Sequence, residues 1–259
     1  MSSRAPVLAL AFAICAAPAA PPAPLAAQAS GHFPPDSLIN VKVIPKSTPV
    51  MQVVGMMRNF AGALGVRCWF CHVGQEGQPL AQFDFAKDEK RTKLTARQMM
   101  RMVEEINRRI DTLPHDHDHP NDSLRVTCNT CHRGVNRPLP LEQLIQQTAQ
   151  TSGADSAARA YRALRERYYG RAAYDFGEPT LNIAAFRLAR AGKYDEAYAM
   201  LRLNEEQFPA SSNLSTFRGN INLMKGDTAA AIAAFREAVR RDSTNEEAKG
   251  RLRSLRQSP

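Results

Sequence analysis

The sequence predicts an all-α protein, and three observations carry that expectation. Aromatic residues make up only 7% of the 259 residues, too few for a large β-sandwich. Apolar residues recur at helical spacing in windows closed by Gly, as at Val50–Leu64 before Gly65. The last third repeats itself with a period of about 34 residues, the length of one helical hairpin. With 44% hydrophobic and 23% charged residues, bulk disorder is excluded. The length suits one large domain or two modest ones.

The chain opens on an address. Arg4 precedes an apolar run from Val7 to Ala17, Pro18 to Pro24 follow, and Ala27-Gln28-Ala29 stands before Ser30. Basic, apolar and small-x-small regions in that order make residues 1–29 a cleaved secretory signal. The run is too short to cross a membrane. Cys15 follows Ile14, which is larger than a lipoprotein cleavage site accepts, so a soluble exported product is expected. Cleavage removes Arg4 and lowers the net charge from +9 to +8. That balance permits anionic partners without choosing among them.

The first mature helix is expected from about Pro49 to Leu64. Val50, Val53, Val54, Met57, Phe60, Ala61 and Leu64 share one face, and Gly65 ends it. A second is expected from Thr95, as N-cap, to Ile110. Met99, Met102, Val103, Ile106 and Ile110 line one face, while Arg97, Arg101, Glu104, Glu105 and Arg108 lie largely away from it.

The cysteines carry the chemistry. Once the leader leaves with Cys15, four remain, in Cys68-Trp69-Phe70-Cys71-His72 and Cys128-Asn129-Thr130-Cys131-His132. Both are complete C-x-x-C-H motifs, the mark of c-type haem attachment. Two thiols on one short turn can add to the two vinyl groups of a haem, and the adjacent imidazole then lies under the iron. Two disulfides would leave each trailing His unexplained. One zinc held by both C-x-x-C pairs is commoner in cytosolic chains, and a dithiol redox site does not account for two His-terminated copies.

The sixth ligand decides the use of such an iron. Met opposite His raises the potential and closes the iron for electron transfer, whereas an open position gives peroxidase or gas chemistry. Met57 on the first helix, and Met99 or Met102 on the second, are the candidates. A Met stripe is also a common way to fill a core.

The residues now on the page resemble the photosynthetic reaction-centre cytochrome c subunit family. The likeness rests on Met57-Arg58-Asn59-Phe60 with Leu64-Gly65-Val66 ahead of Cys68. It continues through Lys93-x-x-Ala96-Arg97-x-Met99-x-x-Met102 with Ile106-Asn107, then Val126-Thr127-Cys128-x-Thr130-Cys131-His132-Arg133-Gly134 and Pro138. The resemblance implies a Met ligand on the helix preceding each motif. Met57 then pairs with His72 and Met99 with His132; Met56 is the alternative for the first. Photosynthetic members carry four haems in two pairs. This chain has one pair, so the resemblance implies a half-length, diheme electron carrier without establishing a reaction centre as its partner.

His115-Asp116-His117-Asp118-His119, between Pro114 and Pro120, reads as a solvated loop, with a divalent metal site as the alternative. Arg133 reads as a partner for a haem propionate or as a surface residue. His32 is incidental.

From residue 141 the chain turns Ala-rich. Leu188, Gly192, Ala197, Leu201 and Pro209 recur as Asn222, Gly226, Ala231, Phe235 and Ser243. This is similar to tetratricopeptide repeats, from which Asn222 and Ser243 depart. Residues 246–256 read as a capping helix and 154–169, with Tyr161, Leu164 and Tyr168, as a degenerate preceding one.

The expected organisation is a signal peptide over 1–29 and a diheme cytochrome domain over 30–140. A helical connector over 141–176 and a tetratricopeptide-like domain over 177–259 follow. The expected function is a periplasmic, non-enzymatic electron carrier with two covalent haems, bound by Cys68, Cys71, His72 and Met57 and by Cys128, Cys131, His132 and Met99. Lys87, Lys90, Arg91, Lys93, Arg97 and Arg101 point to acidic redox partners, soluble or at the membrane surface. The rivals are a diheme peroxidase and an interaction scaffold whose haems are structural. Nucleic acid is not expected for an exported chain without a suitable motif.

Overall fold

Residues 31–114 and 124–257 are described by the structure, a computed structural model. The leader and the His115–His119 run lie outside them. Regular structure among the described residues is helical, apart from one antiparallel bridge between Val73 and Asp84. No described helix is long and apolar enough to cross a membrane.

Helix α1 spans Val50–Leu64. Pro49 sets its entry, and Gly65, at φ 65°, closes it with N–H bonds from Gly65 and Val66 to Gly62 and Ala61. Four-residue α2 (Cys68–Cys71) and five-residue α4 (Cys128–His132) are the two cysteine turns, with α3 (Arg91–Ile110) between them in the chain.

Helix α3 begins four residues before the expected Thr95, which lies inside it with no capping role. Its first turn has no side-chain cap of its own. Instead Thr92 Oγ1 donates to the Phe70 carbonyl at 2.5 Å and Lys90 Nζ to the Trp69 carbonyl, both within α2. A partner distant in sequence starts this helix, and the local cap signal is overridden.

The remainder stacks as hairpins: α5 (Leu141–Ser152) with α6 (Ala154–Tyr168), α7 (Glu178–Arg190) with α8 (Tyr194–Glu205), and α9 (Ser212–Lys225) with α10 (Thr228–Arg241), followed by α11 (Glu246–Gln257). One core runs from Leu141 and Ile145 through Tyr161 and Leu188 to Leu214 and Ile221, so α5 and α6 share it with α7–α9. Ala231, Phe235, Ala238 and Ala248 form the next. At Gly219 an added Cβ would lie 2.5 Å from the Phe235 ring, which is why the ring seats there. Glu205 on α8 pairs with Arg218 at 2.9 Å and Arg241 at 3.4 Å, tying three helices. Buried Asn204 donates to the Glu178 carbonyl (2.8 Å) and to Asn182 (3.0 Å), a polar bond inside the core that periodicity does not reveal.

Before Leu141 the picture reverses. Among the described residues there, only Ile44, Val53, Ala63, Phe83 and Val135 are buried apolar side chains, and none joins a cluster. The described part of that segment holds both cysteine motifs and forms no buried apolar cluster.

Candidate haem site

The two cysteine turns are built alike and held differently. In the second, Thr127 and Thr130 form a capping box, with the Thr127 N–H donating to Thr130 Oγ1 at 2.9 Å. Arg133 follows at φ 48° and Gly134 at φ 88°, and the chain turns back so that His132 Nδ1 lies 2.9 Å from the Val135 carbonyl. A carbonyl only accepts, so Nδ1–H is the donor, and Nε2 is left outside that bond.

In the first turn, His72 meets the Phe85 ring edge-on at 5.0 Å, and Phe85 stacks on Phe83. The His72 pKa is drawn down to about 4, first by burial and then by the Lys93 cation. Its imidazole is therefore neutral at pH 7, the form that ligates. The Phe85 backbone carbonyl acts on the His72 ring in the opposite direction and raises the pKa.

The four thiols are unpaired. Among the described residues no three His, Cys, Asp or Glu side chains converge on a metal site, so the two cysteine pairs are not gathered round one ion. Burial raises the pKa of Cys71 and of Cys128, against the lowered pKa of a reactive dithiol centre.

The candidate Met ligands lie on faces left partly open. Met56 and Met57 are half-buried on α1. On α3, Lys93, Ala96, Arg97, Met100 and Asn107 turn toward protein, whereas Met99 and Met102 are 40% and 48% exposed on the adjoining strip. A stretch whose described residues form no apolar cluster, with accessible Met side chains, a neutral His72 imidazole and unpaired thiols, fits a large apolar group that completes the interior. The residues present therefore fit haem.

The four elements interlock crosswise. The start of α3 grips α2, as described, and the end of α1 grips the loop after α4, where the Gly134 N–H donates to the Ala63 carbonyl at 2.8 Å. An added Cβ at Gly65 would lie 2.0 Å from the Gly134 carbonyl oxygen. Gly65→Ala therefore combines left-handed backbone strain of about 1–2 kcal/mol with overpacking of about 1–3 kcal/mol. The expected result is a loss of about 3 kcal/mol in denaturant unfolding of the cysteine-bearing segment; a loss under about 0.5 kcal/mol would show that the contact does not constrain the fold.

The expected basic docking face needs correction. Lys93 is 8% exposed and Arg97 is half-buried; both bond to Asp88, at 3.0 and 2.8 Å. Arg97 also donates to the Asn40 carbonyl at 2.8 Å, and the Asp88 carboxyl is held well below the usual range, chiefly by Arg97. Lys90 is spent on backbone carbonyls. Arg91 and Arg101 do face solvent. Arg133 is exposed and donates to the Ala172 carbonyl at 3.4 Å. Charge alone placed Lys93 outside; the motif Lys93-x-x-Ala96-Arg97 was the available signal that it is special. Phe85, Asp88 and Asn40 carried no signal.

The family of photosynthetic reaction centre cytochrome C subunits matches this chain in two overlapping stretches, 45–148 and 79–170. Over that span the chain is similar to this family. The "Photosynthetic reaction center cytochrome c subunit" of Rubrivivax gelatinosus (strain NBRC 100245 / IL144) is 30% identical over 112 residues, 41% of this chain. The aligned stretch covers 29% of that relative's length. Likeness to this cytochrome c family supports covalent c-type haem, and both C-x-x-C-H motifs of this chain lie inside the matched residues. The match also runs through α5 and α6 and stops before α7.

Proposed function

We propose that this chain is an exported diheme c-type cytochrome that passes single electrons between protein partners. The observation that carries the reading is a segment with two C-x-x-C-H turns, the His72 imidazole neutral, the His132 imidazole held through Nδ1, and no buried apolar cluster among its described residues. Haem supplies a one-electron iron couple when bound. Cys68 and Cys71 hold the first through thioethers, with His72 and Met57 on the iron. Cys128 and Cys131 hold the second, with His132 and Met99. The chain's own part is to fix each imidazole and to exclude water with α1 and α3.

The proposed organisation is a leader over 1–29, the cytochrome unit over 30–140, a connector over 141–176 and tetratricopeptide-like hairpins over 177–259. The helical unit would hold a protein, and solvent-facing Arg91 and Arg101 favour an acidic redox partner in the periplasm or at its membrane surface.

The test is expression in a periplasm equipped for haem attachment, followed by pyridine-haemochrome counting, intact mass and a reductive titration. Two haems per chain, low-spin spectra and two potentials are expected. A colourless protein without added mass would sink the reading. A resting high-spin fraction that reacts with peroxide would replace it with the peroxidase alternative.

A further inference from the structure

Lys93 is a charged side chain inside the fold, and electron transfer as proposed above does not yet use it. Its ammonium donates to the carbonyls of Phe85 (2.8 Å), Ala86 (3.0 Å) and Lys87 (2.6 Å) and pairs with Asp88 at 3.0 Å. The Phe85 ring lies 5.0 Å from the His72 ring, so the cation stands one residue away from the first imidazole. Lys90 adds a second charge on the carbonyls of Trp69 and Gly74, and Arg97 a third. Lys93 and Arg97 share one carboxylate, Asp88, and Lys90 is held by carbonyls alone, which leaves a positive excess beside the first turn.

The second turn is built otherwise. His132 bonds to a neutral carbonyl. Its neighbour Arg133 is exposed, and Arg125 pairs with Asp111 with both side chains about half exposed, at 50% and 51%. Water screens those charges, whereas little water reaches Lys93.

We infer that Lys93 is a positioning residue that raises the reduction potential of the iron at Cys68–His72 above that at Cys128–His132. The oxidised iron carries one more positive charge than the reduced, so a fixed, poorly screened cation disfavours oxidation. Asp88 and the three carbonyls offset part of the effect. At an effective dielectric of about 20 and a separation on the order of 10 Å, the Lys93 charge by itself, which Lys93→Gln removes, is worth on the order of tenfold in the ratio of reduced to oxidised iron. For one electron that is about 59 mV. An electron arriving at the second site would then run downhill to the first.

The inference rests on the two-haem reading, and one experiment separates the two. Full-length holoprotein is counted for haem and titrated optically, as wild type, Lys93→Gln and Asp88→Asn. Gln keeps an N–H for the carbonyls and removes the charge. Lys93→Gln is expected to lower the higher potential by about 59 mV, the one-electron equivalent of tenfold, and to leave the lower one in place. Asp88→Asn is expected to raise the higher potential. Loosened structure would move both variants the same way, so opposite signs mark the charge itself. Equal signs, a shift of the lower potential instead, or no shift overturns the inference. If Lys93→Gln does not mature, an Asp88→Asn potential that fails to rise overturns it alone. Fewer than two haems in the wild type would instead refute the reading beneath it.

Discussion

Protein made without haem attachment is expected to be open over residues 31–140 and folded over 141–257. The described residues before Leu141 bury five apolar side chains, whereas those from Leu141 onward bury twenty-two. Ordering a residue costs about 1–2 kcal/mol of backbone entropy, and a buried apolar side chain returns about 1.5–3 kcal/mol. Five scattered side chains cannot hold a hundred-residue segment, so the first unit depends on what it binds. The second has two apolar core clusters and ion pairs that join its helices. Hydrogen exchange with peptide readout checks this. Peptides from 31–140 should exchange within seconds in the haem-free chain and become protected in the holoprotein, while those from α7–α10 stay protected in both. Equal protection over 31–140 with and without haem would refute it.

Met99→Ala is the substitution expected to change the redox behaviour most, given the proposed ligation. Met opposite His raises a haem potential, and axial ligands together span about 0.8 V. Removing Met99 should lower the potential of the second site by on the order of 0.1 V or more and raise its high-spin fraction. Met102→Ala should leave both potentials within experimental scatter. The two side chains share one accessible strip of α3, at 40% and 48% exposure, so only the pair of titrations separates them. A large drop in Met102→Ala with none in Met99→Ala would reassign the ligand. The same comparison, Met57→Ala against Met56→Ala, applies to the first site, where both are half-buried on α1.

Several parts of the site are written locally. Two thiols and a histidine on one turn define their chemistry by spacing alone, and so α2 and α4 stand where the motifs are. Gly65 and Gly226 close their helices at φ 65° and 85° as their position implies, because the left-handed turn is a property of one residue. The hairpin period is equally local: Leu188, Ala197, Leu201, Ala231 and Phe235 all fall inside at 0% exposure.

Other features belong to no single segment. Thr95 looked like a cap until the carbonyls of Trp69 and Phe70 supplied a better anchor four residues earlier. Lys93 looked like solvent charge until the carbonyls of three consecutive residues closed round it.

By itself, then, the amino-acid order determined the amphipathic helices, their glycine stops, the spacing of the two cysteine turns and the hairpin unit. Tertiary structure alone decided that α1 docks by α4 and α3 by α2, that α5 and α6 enter the hairpin core, and that one lysine is interior. The reason is reach. Periodicity and turn chemistry act within a few residues, whereas the burial of a polar group depends on acceptors that other parts of the chain bring to it.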